Sequence, residues 1–239
     1  MKMRFIKSSS ATIAFKIVSM ACGLGISGLI GRALGPSGRG LYGLILTIIV
    51  LSANFGLFGL AGANAYLVGG DISRSRSMGT QSLVVGFVGA VLAIVGLRVI
   101  GHFSPAIFDG LHYELIIPTF ALIPLFLWGT LFSYAYLGQG KVVAFNLFES
   151  GEKLLILVIG LLCFTVFKAG LDIFLAGITI AIAMLLAVYV VVYFANSPRG
   201  AFYNSKLLTP AFAYGIRAYV ATVLTYAVMR SGIFFVNYK

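Results

Sequence analysis

Residues 10–34 read SATIAFKIVSMACGLGISGLIGRAL, and this stretch decides the class of fold. It contains two charged side chains, Lys16 and Arg32, and no proline. Because a helix rises about 1.5 Å per residue, a run of this length is long enough to cross the roughly 30 Å hydrocarbon core of a bilayer. A signal peptide has a shorter apolar core, and a second apolar run follows this one almost at once. The sequence therefore predicts a retained transmembrane helix.

Apolar stretches of similar length recur along the rest of the chain. Of its 239 residues, 60% are hydrophobic, 10% are charged and only six are acidic, which excludes a soluble globule of this size. We predict an all-α polytopic membrane helix bundle with six transmembrane helices and the start of a seventh. The predicted spans are 10–34, 41–69, 79–101, 114–137, 142–167, 171–195 and a last one from about 208.

The basic residues predict the orientation of the bundle. The chain has 17 Lys and Arg and a formal charge of +11, and most of these residues lie between the apolar runs, as is typical of membrane orientation rather than nucleic-acid binding. Eight of them fall on the cytoplasmic side and four outside if the N-terminus is cytoplasmic, so we predict that orientation. The eight are Lys2, Arg4, Lys7, Arg74, Arg76, Lys141, Arg199 and Lys206, and the four are Arg32, Arg39, Arg98 and Lys168.

Small residues occupy every fourth position of the first span from Ser19 to Gly35, and Lys16 lies on the same helix face. Such a face lets a neighbouring backbone approach closely. Lys16 either snorkels to the cytoplasmic headgroups or faces an internal cavity, and the sequence leaves both interpretations open. Tyrosines near the span ends predict an interfacial aromatic belt, and they are Tyr134, Tyr136, Tyr189 and Tyr193.

Glu149 and Lys153 lie four residues apart near the start of the fifth span. This spacing and order stabilise an isolated helix, which is one sufficient explanation of the pair. Ionisable groups inside a membrane often serve function, so the pair is also a candidate gate ion pair. Arg217 lies in the last span, 13 residues before Arg230, and at this spacing the two cannot both face one lumen.

The residue types that enzymes use do not form a recognisable pattern. His102 and His112 share one loop without a cysteine or carboxylate cluster at metal-ligand spacing, and no GxxxxGK[ST] or GxGxxG loop is present to hold phosphates. We therefore expect no enzymatic activity, no metal site and no cofactor. A transporter or a passive helix bundle is the default interpretation.

Residues 31–43, GRALGPSGRGLYG, resemble the signature between the first two helices of bacterial oligosaccharide flippases, which belong to the multidrug/oligosaccharidyl-lipid/polysaccharide exporter superfamily. Residues 55–63, FGLFGLAGA, look like the continuation of that family's second helix. The local physics predicts a helix end followed by a tight reversal, and such a turn requires no substrate contact. The signature is carried by Arg32, Leu34, Gly35, Pro36, Gly38, Gly40 and Tyr42.

The resemblance implies two pseudo-symmetric six-helix lobes around a central cavity. Alternating access would move an undecaprenyl-pyrophosphate-linked oligosaccharide across the bacterial cytoplasmic (inner) membrane, for surface polysaccharides such as the lipopolysaccharide O-antigen. Residues 1–207 would be the N-terminal lobe and 208–239 the first helix of a second, truncated lobe. Lys16 and Arg217, chosen by position and charge, are the candidate pyrophosphate ligands.

The partners implied are the lipid-linked oligosaccharide, the lipid bilayer, a polysaccharide polymerase and glycosyltransferases, with no nucleic acid. Two alternatives stay open from the sequence. One is a multidrug or cation antiporter of the same superfamily, although no Asp or Glu lies mid-span in the first four helices to bind a coupling ion. The other is a non-transporting membrane scaffold for glycan enzymes.

Overall fold

A computed structural model describes residues 2–103, 111–217, 219–221 and 224, with side chains from residue 10 onward. This part of the chain is helical and has no strand, which confirms the predicted all-α class. A seventh helix, α7, begins at residue 208. The other helices are α1 (Lys2–Gly56), α2 (Leu60–Gly70), α3 (Ser75–Phe103), α4 (Tyr113–Gly138), α5 (Val142–Leu161) and α6 (Leu171–Ala195).

Four helical stretches of the described chain are long and apolar enough to cross a membrane: Ser10–Gly56, Ile72–Phe103, Tyr113–Gly138 and Leu171–Ala195. Length and composition thus indicate a membrane-embedded protein, as the sequence predicts. Helix α5 has 20 residues but contains Glu149, Glu152 and Lys153, and it is not among the four.

Helix α1 consists of two arms separated by one residue. Gly35 alone has a non-helical backbone, with φ 72° and ψ −173°, a region that glycine adopts without strain. Pro36 then begins the second arm, where its missing N–H leaves no hydrogen bond unmade. The predicted helix end at Gly35 and Pro36 is confirmed, whereas Gly38 and Gly40 lie in regular helix and do not form the reversal.

The first arm (residues 2–34) and the second arm (residues 36–56) run in opposite directions. The first arm is parallel to α5, the second arm is antiparallel to α3, and α4 is antiparallel to both α3 and α5. Since α3 and α5 therefore point the same way, the chain reverses at Gly35. The contacts that fix these directions are Lys16 with Glu149, Gly25 with Leu157, Gly56 with Gly89, Asn64 with Ser82, Leu83 with Trp128, Arg98 with Phe120, Gly129 with Phe148, and Tyr134 with Phe145.

The predicted span 41–69 is interrupted between α1 and α2. Phe58 and Gly59 have positive φ angles of 47° and 72°. At this break the backbone of Gly59 lies directly against the carbonyl of Gly215 in α7. Broken helices are tolerated in membrane proteins when neighbouring groups supply the missing contacts. Here the buried amide of Asn64 donates to Ser82 Oγ at 2.7 Å and to the Leu131 carbonyl at 3.0 Å, which ties α2 to α3 and α4.

The connection between α2 and α3 is a short turn, in the gap between the predicted spans 41–69 and 79–101. Asp71 Oδ1 accepts hydrogen bonds from the hydroxyl of Ser73 at 2.7 Å and from its backbone N–H at 3.0 Å. The Ser73 hydroxyl bond, followed by the backbone bond, lowers the pKa of Asp71 below its ordinary value. Arg74 pairs with the other carboxylate oxygen at 3.2 Å, so the turn is closed by local contacts.

Three of the four tyrosines predicted to form an interfacial belt are buried instead. Tyr136, Tyr189 and Tyr193 are 2%, 8% and 0% exposed. Their hydroxyls donate to the backbone carbonyls of Tyr189, Ala144 and Ser75 at 2.8–3.0 Å. A buried tyrosine is stable when its hydroxyl has such a partner, so these rings pack α4 against α6 rather than anchor the bundle in the headgroups.

The closest glycine contacts between helices lie outside the predicted small-residue face, although Ser19 of that face meets Ser150 of α5. No other described residue lies within 4 Å of the Cβ position of Gly23, in the predicted small-residue face. In contrast, Gly56 of the second arm and Gly89 of α3 lie backbone against backbone, and a Cβ on Gly89 would collide with the Gly56 carbonyl. Helices in lipid are held by such packing.

Replacing Gly89 with alanine should therefore separate the second arm from α3. We expect Gly89→Ala to destabilise the protein by about 1–3 kcal/mol, because neither backbone can yield without shifting its helix. Gly96→Ala in the same helix is the matched control, since its Cβ position has no described atom within 4 Å. Unfolding in detergent checks this, and equal stabilities of the two variants would contradict the contact.

Candidate functional site

Three charged side chains meet between the first arm and α5. Lys16 Nζ lies 2.6 Å from Glu149 Oε2, and Lys153 Nζ lies 3.2 Å from Glu149 Oε1. One carboxylate therefore accepts hydrogen bonds from two ammonium groups, one at each oxygen. The three side chains are 36–51% exposed, so this pairing contributes modestly to stability.

Hydrogen bonds along the same interface fix the register of the first arm against α5. The hydroxyls of Ser19 and Ser150 are 2.9 Å apart, and Ser150 also donates to the Phe15 carbonyl at 3.1 Å. Near the end of the interface, the amide of Asn146 donates to Thr12 Oγ1 at 3.0 Å. These bonds lie on both sides of the Lys16–Glu149 pair and keep the lysine opposite the carboxylate.

The three charged residues line a pocket of about 360 Å³ between α4, α5 and the first arm. Glu152, one helical turn beyond Glu149, lines the same pocket and is only 9% exposed. Within the described chain, no lysine or arginine nitrogen lies within 4 Å of its carboxylate, and no hydrogen bond reaches it. The remaining lining residues are aromatic or hydroxylic: Phe126, Thr130, Ser133, Tyr134, Phe145 and Phe148.

The charged cluster lies about two helical turns along α5. Glu149 is seven residues beyond the start of that helix, and Lys16 is six residues beyond the start of the predicted span 10–34. At about 1.5 Å per residue, each group is roughly 10 Å along its helical run. The predicted spans therefore place the cluster within the apolar runs rather than at their ends.

The remaining residues singled out from the sequence lie away from this pocket. Arg217 is exposed on α7 and does not line it. Tyr42 is buried at 7% exposure with its ring 5.9 Å from that of Phe174. The other signature residues surround the reversal of α1, and none of them lines the pocket; they are Arg32, Gly35, Pro36, Gly38 and Gly40.

Sequence reasoning missed Glu152 and the aromatic lining as parts of the site. The signal for Glu152 was its spacing from Glu149, because residues three apart share a helix face. The aromatic residues of α4 and α5 gave no such signal, since each also fits an ordinary lipid-facing or core position.

A larger pocket of about 610 Å³ lies between the second arm and α3. Its described lining has no acidic or basic side chain and is mainly aliphatic, with Leu44, Leu51 and Leu92 among its members. Binding sites normally combine an apolar lining with a few convergent polar groups. The smaller charged pocket meets that requirement, and it is therefore the candidate functional site.

The fold and the site define a helical, membrane-embedded protein with a charged pocket between α4, α5 and the first arm. No protein-family model, no curated protein and no solved structure matches the chain. The resemblance carried by residues 31–43 therefore stays a prediction.

A double-mutant cycle tests the Lys16–Glu149 pair. We expect Lys16→Gln and Glu149→Gln to be coupled by about 1 kcal/mol in the free energy of unfolding, because the two charges touch but remain 51% and 38% exposed. We also expect Glu149→Gln to destabilise more than Lys16→Gln, since it leaves two lysines unpaired.

The control cycle pairs Lys16→Gln with Glu114→Gln, an exposed carboxylate in the first turn of α4. Denaturant unfolding in detergent measures both cycles. Equal coupling in the two cycles would show that the effect depends on net charge rather than on the contact.

Proposed function

We propose that this chain is the N-terminal lobe of a flippase that moves undecaprenyl-pyrophosphate-linked oligosaccharide across the bacterial cytoplasmic membrane. The observation that supports this proposal is the pocket at membrane depth that holds Lys16 and Lys153. Ionisable groups inside a membrane protein commonly belong to a transport pathway. Surface polysaccharide biosynthesis would be the process served.

The chemistry of the pocket lining suits an anionic, sugar-bearing lipid. Lysines bind phosphate oxygens through charge-assisted hydrogen bonds. The aromatic rings of Tyr134 and Phe148 and the hydroxyls of Thr130 and Ser133 offer apolar faces with a few polar groups, a combination that suits the faces and hydroxyls of a sugar. The lipid tail would lie outside the pocket against the apolar helix surfaces.

The arrangement of the helices supports six spans and a cytoplasmic N-terminus. Each of the two antiparallel arms of α1 counts as one membrane span, and the span of the second arm continues through α2. Helix α5 has 20 residues and is therefore about 30 Å long, enough for one more span. Helices α3, α5 and α7 begin at the end of the bundle where the first arm begins. The basic residues of the connections at that end are Arg74, Arg76, Lys141, Arg199 and Lys206, which agrees with the positive-inside rule.

The proposed site is completed by a second lobe. In this proposal residues 1–207 are one six-helix lobe and 208–239 begin the next, of which residues 225–239 lie outside the described chain. Arg217 is exposed on α7, so it is available to a pyrophosphate held between two lobes. The polymerase and glycosyltransferases would then act on either side of the transport step.

One observation favours the antiporter as a second candidate. Glu152 is a buried carboxylate in the pocket with no lysine or arginine nitrogen within 4 Å among the described residues, and such a group can bind a cationic drug or a coupling ion. A flippase and an antiporter differ in the cellular defect that each would correct. Restored drug resistance without restored surface polysaccharide would favour the antiporter.

Neutralising Lys16 and Arg217 together tests the flippase proposal. The gene product containing this chain is expressed in a flippase-null bacterium, and its surface polysaccharide is measured. We expect the unmodified protein to restore polysaccharide and the variant carrying Lys16→Gln and Arg217→Gln to lower it by about tenfold or more, since each charge-assisted contact contributes about 1.5–3 kcal/mol.

The matched control is Lys206→Gln, an exposed lysine just before α7 whose side chain does not line the pocket. Membrane abundance of each variant is measured in parallel. Full restoration by the doubly neutralised variant at normal abundance would support the scaffold alternative and reject the assigned ligands.

A further inference from the structure

Glu149 holds the two lysines of the pocket in a bridged arrangement. Each of its carboxylate oxygens accepts from a different ammonium group, Lys16 from the first arm and Lys153 from its own helix. Both lysines lie close enough to one small anion to share it. A carboxylate in this position makes the contacts that a bound phosphate group would make.

The residues around this bridge line a pocket, and the three bridged side chains are 36–51% exposed. The pocket extends from the lysines to Glu152, whose carboxyl side chain is more than nine-tenths buried and has no described hydrogen-bond partner. Its carboxylate oxygens are not among the fully enclosed, unpartnered polar atoms of the described chain, so they keep access to the pocket, where a ligand can contact them. The two lysines and two glutamates carry opposite formal charges in equal number.

We infer that Glu149 is an internal competitor of the transported anion: its carboxylate occupies Lys16 and Lys153, and a diphosphate group binds the same lysines by displacing it. This inference rests on the proposed function in taking the substrate to be an anionic diphosphate. It assigns Lys153 as the second cation of the site and gives Glu149 the role of a specificity residue.

Displacement selects for ligands with more than one negative charge. A singly charged anion gains no more from the two lysines than the carboxylate already supplies. A diphosphate carries more charge and several acceptor oxygens, so it can engage both ammonium groups at once. Glu149 thereby keeps the two lysines paired when no ligand is bound. The same competition excludes anions with a single negative charge.

Binding of inorganic pyrophosphate to the purified full chain in nanodiscs of zwitterionic lipid tests the inference. We expect Glu149→Gln to bind pyrophosphate about tenfold tighter than the unmodified chain, because its competing charge is gone. Lys16→Gln and Lys153→Gln should each weaken binding by a similar factor. The Glu149→Gln substitution should increase the affinity for inorganic phosphate less than the affinity for pyrophosphate.

The matched control is Glu114→Gln, which changes the net charge equally but lies outside the pocket. If Glu149→Gln binds pyrophosphate no more tightly than Glu114→Gln, or if no variant binds it, the inference is overturned. If Glu149→Gln fails to fold, Glu149→Asp is measured in its place. The shorter side chain of aspartate reaches the lysines less well, so we again expect tighter pyrophosphate binding than by the unmodified chain. Unchanged or weaker binding by Glu149→Asp likewise overturns the inference.

Repeating the titration in nanodiscs that contain phosphatidylglycerol distinguishes a diphosphate ligand from an anionic lipid headgroup. If that lipid abolishes the gain of Glu149→Gln, the lysines bind bulk anionic headgroups and the diphosphate assignment is overturned. The proposed function can fail independently of this inference. If Glu149→Gln binds pyrophosphate more tightly but the unmodified protein does not restore surface polysaccharide, the anion site is supported and the flippase proposal is rejected.

Discussion

The pairing of Glu149 with two lysines is the interaction on which the candidate site depends. An unpaired charge in the apolar part of a membrane is strongly unfavourable, so the first arm has to present Lys16 where α5 presents Glu149. This requirement sets the register of the two helices, and the bonds between Ser19 and Ser150 and between Asn146 and Thr12 maintain it. Helix α4 forms the remaining wall of the pocket beside this charge pair.

The reversal at Gly35 makes this arrangement compatible with the rest of the bundle. One positive φ angle, followed by a proline that begins the next arm, sends the chain back along α3 while the first arm stays beside α5. The second arm can approach α3 closely only because Gly56 and Gly89 have no side chains. The signature residues 31–43 therefore act on the site through the chain path, since none of them lines the pocket.

The pocket combines two properties that oppose each other. Its charged residues are balanced, which favours a stable empty bundle, whereas its buried Glu152 and its aromatic lining leave polar and apolar surface for a ligand. A site of this kind can hold a charged ligand without leaving unpaired lysines when the ligand departs. Such behaviour suits transport, in which a ligand must be released as readily as it is bound.

The sequence by itself determined the helical class, the membrane-length apolar stretches, the helix end at Gly35 and Pro36, and the neighbouring positions of Glu149 and Lys153. These features depend on residues a few positions apart, whose geometry the helix itself fixes. Only the tertiary structure decided that Lys16 meets Glu149, 133 residues away, that Tyr136 and Tyr193 are buried, and that the close glycine contacts lie at Gly56 and Gly89 rather than at Gly23. The rotation and offset of each helix against its neighbours determine those contacts, and they follow from packing the whole bundle at once.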